Sequence, residues 1–249
     1  MIKTQTLIIG ANSVIAKAIA AKLQTDTEVG LIVISRDLSC YSGMCNEQIN
    51  KITVPDYQSS SIEQAIIGIT QCDQALINQA PITQVFICNG VLHNAQLKPE
   101  KRLEDFSAQA FQQVMQINAL IPMLWIQQLT PILTGNTPCT LTVFSARVAS
   151  ISDNHLGGWY SYRASKAALN MLLKTAAIEL FRRAKNIKLI AFHPGTTDTP
   201  LSKPFQQNVP ADKLFTSDFV AAQLLNIVEN IEVDGEASYL DWQGKSITW

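Results

Sequence analysis

Charged side chains are scarce in this chain: they make up 16% of 249 residues, 19 basic against 20 acidic, for a formal net charge of -1. No stretch concentrates Lys or Arg, so the footprint of a phosphate-backbone partner is missing and nucleic-acid binding is excluded. Cysteine is limited to Cys40, Cys45, Cys72, Cys88 and Cys139. That odd, scattered set argues against a disulfide framework and predicts reduced thiols in the cytoplasm. Cys40 and Cys45 are spaced wider than a redox Cys-x-x-Cys pair, and no second Cys/His cluster completes a zinc site, so no metal is expected. Long hydrophobic runs are also lacking. Met1 to Leu23 is apolar but interrupted by Lys3, Asn12, Ser13 and Lys17, which fits a buried first strand and its helix better than a membrane span or targeting segment.

What is present is hydrophobic material, 47% of the residues, arranged in alternating periods. Short β-branched runs at Thr6 to Ile9, Leu31 to Ile34, Ile52 to Val54, Gln84 to Cys88, Thr140 to Phe144, Lys188 to Phe192 and Ser238 to Asp241 read as strands. They lack polar alternation, as expected of strands covered on both faces. Helical spacing occupies Val14 to Leu23, Ser61 to Gln79, Glu104 to Gln116, Asn118 to Leu133, Ser161 to Arg183 and Ser217 to Asn230. Pro122 and Pro131 fall near the ends of the fourth of these, where proline is tolerated. The alternation predicts a single α/β domain over 1–249, a Rossmann-like, doubly wound parallel sheet of about seven strands with helices on both faces. Gly195 to Phe215, rich in Thr, Pro, Ser, Gln and Asn, has no periodicity and reads as a substrate loop, with Leu201, Phe205, Val209 and Leu214 as apolar contacts.

The first strand runs into Gly10-Ala11-Asn12-Ser13-Val14-Ile15-Ala16, and a helix begins at once. Free N–H groups and the positive end of the helix dipole favour a pyrophosphate there, while Gly10 permits a tight turn. An ordinary βα turn fits this segment equally well by itself. At the end of the second strand a carboxylate would favour NAD by binding ribose hydroxyls, but Ser35 and Arg36 stand there. A guanidinium can hold a 2′-phosphate bidentately, so NADP(H) is the expected cofactor. Should the strand run further, Asp37 would take the ribose position and NAD(H) would be the alternative.

Tyr160-Ser161-Tyr162-Arg163-Ala164-Ser165-Lys166 opens the longest helical pattern. Tyr162 and Lys166 are four apart and share a helix face, so a cation can lie beside a phenol. Lowering a phenol pKa by about three units takes roughly 4 kcal/mol of differential stabilisation, which a nearby ammonium and a positive nicotinamide ring can supply. Tyr160 has no lysine four residues ahead. A solvated helix face is the bland explanation of this spacing, and position decides against it: the segment follows five strand candidates and precedes His193-Pro194-Gly195.

Taken together these segments resemble the short-chain dehydrogenase/reductase family over essentially the whole chain. Ser145 to Ile151, Gly157-Gly158 and Tyr162 to Lys166 look most like its C-factor and sniffer-like carbonyl reductases. Only Gly10 survives of the family's Gly-x-x-x-Gly-x-Gly loop, with Val14 and Ala16 in the other glycine places. The resemblance implies that Asn12, Ser13, Val14 and Ile15 line the pyrophosphate, and that Asp56 touches adenine unless it only caps a turn. Asn89 and Gly90, in a segment similar to Asn-Asn-Ala-Gly, would lie by the ribose. It further implies that Pro194, Gly195, Thr197 and Thr199 bind the nicotinamide end, and that Asn118 supports a proton relay behind Lys166. The family's second serine at the end of the fifth strand is Ala146 here. Ser145, or Ser150 from the next loop, would polarise the substrate oxygen, or activity is weakened; Ser145 is the preferred choice. His93 is expected to be a surface or packing residue.

The expected activity is hydride transfer between NADP(H) and a carbonyl or secondary alcohol of a small molecule, with Tyr162 and Lys166 central. A homodimer or homotetramer through the Asn118 and Ser161 helices is implied by resemblance, with no membrane or nucleic-acid partner. The alternative is a cofactor-binding signalling or regulatory protein of the same fold with little turnover.

Overall fold

A computed structural model describes residues 1–44, 48–71 and 80–249. Cys45, Cys72 and the end of the helix expected to reach Gln79 lie outside them. In chain order the elements are β1 (Thr4–Ile9), α1 (Val14–Leu23), β2 (Val29–Ser35), β3 (Ile49–Thr53), α2 (Ser59–Thr70), β4 (Ile82–Ile87) and α3 (Ala108–Met115). They continue with α4 (Ile121–Leu133), β5 (Cys139–Phe144), α5 (Tyr160–Arg183), β6 (Ile187–His193), β7 (Thr196–Thr197), β8 (Leu214–Phe215), α6 (Ser217–Asn230) and β9 (Ser238–Asp241).

Seven strands form one parallel sheet in the order β3-β2-β1-β4-β5-β6-β9. The unalternating apolar runs are explained by two cores, one on each face. Ile62, Trp125 and Leu169 bring α2, α4 and α5 onto one, and Ile19 and Val220 bring α1 and α6 onto the other. Consecutive strands step outward from β1 to β3, then the chain returns to place β4 on the other side of β1. That reversal leaves a crevice at the carboxyl ends of β1 and β4, where ligands of such sheets bind.

Caps set the helix starts. Ser13 Oγ accepts from Ala16 N at 3.2 Å, and Thr216 Oγ1 accepts from Phe219 N at 3.2 Å, the side-chain oxygen replacing a missing turn of acceptors. The helix expected from Glu104 begins instead at Ala108, because Leu103–Asp105 form a 3-10 turn and Ser107 caps α3 itself. The next helix opens with a π-helical turn, Gln116–Leu120, so α3 and α4 join through a widened turn of the kind often found at functional sites.

The stretch expected to be irregular carries a small ladder of its own. Thr196 pairs with Leu214 and Thr197 with Phe215, parallel, so β7 and β8 tie together the two ends of the intervening loop. Two-residue strands leave no periodic trace in a sequence. Phe215 packs at 4.4 Å between ring centroids against Trp242. Gly195 lies under it with φ +72, and a Cβ there would meet the Phe215 ring at 2.6 Å. No helix among the described residues is long and apolar enough to cross a membrane.

Gly195→Ala should therefore combine left-handed strain with a clash, lowering stability by about 2 kcal/mol, or roughly 4–8 °C in Tm. Gly157→Ala, at φ +64 with nothing within 4 Å of the added carbon, should lose less. Thermal melting of the two variants compares them; equal losses would remove Phe215 from the account.

Candidate active site

A cleft of about 490 Å³ opens along the carboxyl ends of β1, β4, β5 and β6, a size suited to a small ligand or part of a cofactor. Of the residues singled out from the sequence, Asn12, Ser13, Val14, Ile15, Asn89, Gly90, Ser145, Tyr162, Lys166, Pro194, Gly195, Thr197 and Thr199 all line it. Gly10 lies just beneath. It has φ +73, and a Cβ would sit 3.1 Å from Asn89 N and 3.2 Å from the Cys88 carbonyl carbon, so only glycine lets β1 and β4 approach here. Val14 and Ile15 begin α1, where backbone N–H groups have no intrahelical acceptors. Asn89 Oδ1 is buried without a partner. A helix N-terminus, an orphaned amide oxygen and a glycine-only turn make a cradle that fits the diphosphate and ribose of a dinucleotide.

Arg36 and Asp56 stand outside the cleft lining. β2 ends at Ser35, so Arg36 is the first residue beyond it, exposed, with its guanidinium carbon 5.8 Å from the Tyr57 ring centroid. The Asp37 carboxylate accepts from Ser39 N at 2.9 Å and from Nδ2 of the cleft-lining Asn12 at 3.1 Å, bonds that hold its pKa below the usual value, Ser39 contributing most. Asp56 accepts from Ser61 Oγ at 2.6 Å and Gln58 N at 3.0 Å. Both bonds use Oδ1 and tie Asp56 to the turn that leads into α2.

Tyr162 and Lys166 are both buried on α5, as their spacing requires, and Lys166 Nζ is 5.9 Å from the Tyr162 ring centroid. Nζ donates to the Phe144 carbonyl at 2.7 Å, so the end of β5 holds the lysine. Burial lowers the Lys166 pKa to about 7. It also raises that of Tyr162, with Tyr239 adding to the rise. Among the chain's own groups desolvation dominates, while the acidification expected from the sequence also draws on the positive nicotinamide ring of a bound cofactor.

Asn118 is fully buried in the π-helical turn. Its Oδ1 accepts from Val91 N at 2.8 Å, and its Nδ2 donates to Val91 O at 2.8 Å and Ser165 Oγ at 3.0 Å. A Cβ at Gly90 would lie 3.6 Å from Lys166 Nζ and 3.7 Å from Asn118 Oδ1, ordinary contact distances, so lysine and asparagine flank the loop after β4 at this residue. The side-chain amide of Asn118 is thus wholly engaged in joining that loop to α5.

Ser145 departs from its expected role. Its hydroxyl donates to Asn170 Oδ1 at 2.7 Å, so its proton is committed to α5. Ala146, the next residue, packs with Leu92 and Tyr162, as the alternation of side chains along an extended segment demands. Ser150 does not substitute: it is buried outside the cleft, where its Oγ accepts from Asp153 N at 3.3 Å. A methyl group therefore stands beside Tyr162 where the expectation had a hydroxyl.

Four contributors escaped the sequence reading. Glu100 is buried and accepts from Ser161 N at 3.2 Å and from Ser161 Oγ, holding a carboxylate at the positive end of α5. Trp159 precedes that helix with φ 54 and ψ 43, a conformation costing a bulky residue about 1–3 kcal/mol. His93 does more than occupy the surface: its Nε2 lies 3.2 Å from Pro200 O and 3.1 Å from Leu201 O, pinning the loop. His193 lines the cleft, and its Nδ1 is buried without a partner. Only Gly157-Gly158, ahead of Trp159, was a usable signal.

The short chain dehydrogenase family model matches residues 4–210. The 1-hydroxy-2-glutathionyl-2-methyl-3-butene dehydrogenase of Rhodococcus sp. (strain AD45) is 31% identical over 136 residues, which are 54% of this chain and only 57% of that protein. C-signal of Myxococcus xanthus is 29% identical over 133 residues, 53% of this chain and 75% of that one. The fold is shared with a carbonyl reductase from chicken fatty liver solved with NADPH bound, at a TM-score of 0.80, 19% identity and full coverage of both chains.

Burial lowers the His193 pKa to about 4, with Arg147 adding to the fall and Asp241 opposing it. A pKa below that of the unfolded chain gives stability that is present above about pH 6.5 and is lost as pH falls through 4. Urea unfolding at pH 7.5 and 4.5 should show His193→Asn losing roughly 2 kcal/mol less than the parent over that interval. Parallel losses in the two proteins would show that His193 titrates normally.

Proposed function

The chain belongs to the short-chain dehydrogenase family, and from that membership we propose that it is an NADP(H)-dependent oxidoreductase. Its reaction would pass a hydride between the nicotinamide and the carbonyl or secondary-alcohol carbon of a small organic substrate. The observation that carries this reading is the buried pair of Tyr162 and Lys166 lining one cleft with the turn that opens α1.

A bound nicotinamide supplies the hydride in reduction and accepts it in oxidation. Tyr162 gives its phenolic proton to the substrate oxygen in reduction and takes it back in oxidation, with the neighbouring Lys166 ammonium favouring the phenolate that is left. Lys166, held by the Phe144 carbonyl, faces the ribose and the phenol. Asn118 fixes the Val91 loop behind Lys166, so a relay there would use its backbone carbonyl. Gly10, Asn12, Ser13, Val14 and Ile15 hold the diphosphate, Asn89 and Gly90 the adenosine ribose, and Pro194, Gly195, Thr197 and Thr199 the nicotinamide end. Asp56, whose Oδ1 is held by Ser61 and Gln58, would offer Oδ2 to adenine. Tyr162 alone serves the substrate oxygen, Ser145 supporting β5 instead. The loop over 195–215 covers the substrate.

NADPH preference is supported by Arg36 at the first position after β2. A homodimer or homotetramer is supported by Leu120, Met171 and Ile178, which are 51%, 66% and 56% exposed around α4 and α5. A second reading, a signalling protein with little turnover, is favoured by Ala146 beside Tyr162 and by the likeness to C-signal.

NADPH consumption against aldehydes, ketones and quinones should be detectable and should fall at least about 100-fold in Tyr162→Phe. Cofactor binding without turnover of any carbonyl would favour the second reading. Arg36→Ala should weaken NADPH by about tenfold or more while leaving NADH affinity nearly unchanged; an unaltered ratio would remove Arg36 from cofactor choice.

A further inference from the structure

Trp159 is the one non-glycine residue with positive φ among the described residues, at φ 54, directly after Gly157 at φ 64 and Gly158 at φ 67. A bulky side chain is held in that conformation only when its surroundings over-determine it. Three sets of bonds do so. Trp159 N donates to Glu100 O at 2.5 Å, and the Glu100 carboxylate holds Ser161 through its N and Oγ. Arg163 donates from Nε to Gly158 O at 2.9 Å and from Nη2 to Gly157 O at 3.1 Å.

The strained residue contributes to neither main core. Its indole packs instead with Leu92, Ala146, Val148, Tyr162 and Phe205 in a separate apolar cluster at the mouth of the cleft. The rings of Trp159 and Tyr162 meet edge to face at 6.2 Å between centroids, and Phe205 of the covering loop meets Trp159 at 4.9 Å. His93 anchors that loop through the carbonyls of Pro200 and Leu201 and places its own ring 5.6 Å from Phe205. The wall above Tyr162 is thus aromatic and aliphatic, without a charged side chain in the cluster. With Ala146 in place of a hydroxyl, the substrate oxygen meets one donor, so a single hydrogen bond does not fix the orientation of the carbonyl plane.

We infer that Trp159 determines specificity: braced by the Phe205 ring that it touches, it forms the aromatic wall of the slot above Tyr162 and orients carbonyl substrates bearing a flat aryl group. The ring held by this clamp stacks on the aryl face and supplies the orientation that the missing hydroxyl would have given. This rests on the oxidoreductase reading above.

The test compares an aryl methyl ketone with its cyclohexyl counterpart, using purified protein and NADPH. The parent should favour the aryl ketone in kcat/KM by about tenfold or more. Trp159→Gly relaxes the left-handed backbone, so it folds, and should bring the ratio close to one, chiefly through a higher KM for the aryl ketone. Trp159→Phe keeps a ring and should retain most of the preference. No preference in the parent, or an equal loss for both ketones in Trp159→Gly, overturns the slot. If neither ketone is turned over, calorimetric titration of the NADPH-loaded parent with the aryl ketone decides for the slot alone: binding that Trp159→Gly loses supports it and no binding overturns it, while the oxidoreductase reading is decided separately by the wider panel of aldehydes, ketones and quinones.

Discussion

Everything at the cleft depends on holding an amine and a phenol side by side out of water. Charged Lys166 pays a desolvation penalty, which is why its pKa falls to about 7, and one backbone carbonyl at 2.7 Å is its only hydrogen-bond acceptor among the described residues. A lone ammonium in such surroundings is stable only if something fixes its position. Here α5 sets the spacing and the end of β5 supplies the acceptor. The parallel sheet matters to function because it delivers β1, β4, β5 and β6 to one edge at the same height.

The sequence made most of this legible, because long elements with a clear period leave a strong trace. All seven strands of the main sheet and the boundaries of α1 and α6 were readable, as was the shared face of Tyr162 and Lys166. What stayed hidden has local or relational causes. The π-helical turn around Asn118 has the composition of an ordinary helix. Two residues of β7 and two of β8 carry no periodicity. Glu100 lies 61 residues from Ser161 in the chain, and no pattern links a lone glutamate to a distant helix start. The charge state of Tyr162 is hidden for a different reason: spacing says which groups are close, while burial and a bound cofactor's charge decide which state is favoured.

The Ser145-Ala146 pair shows how one alternation redirects chemistry. Ser145 faces α5, where Asn170 receives its hydrogen, and the Ala146 carbonyl accepts from Tyr239 Oη at 2.7 Å. The turn after β5 is therefore fastened by Ser145 to α5 and by the Ala146 carbonyl to β9, and the side chain beside Tyr162 is a methyl group. A residue named from a motif by chain position can be present and buried in place while its functional atom points elsewhere.

The little β7–β8 ladder has a bearing on how this architecture diversifies. Because its two rungs bring Thr197 and Phe215 together, residues 198–213 form a cassette whose ends are joined by the frame and not by its own contents. Closure entropy grows only slowly with loop length, so insertions or exchanges within that cassette are tolerated without moving the strands that carry Tyr162's neighbours. Substrate range and reaction machinery are thereby free to evolve on separate clocks.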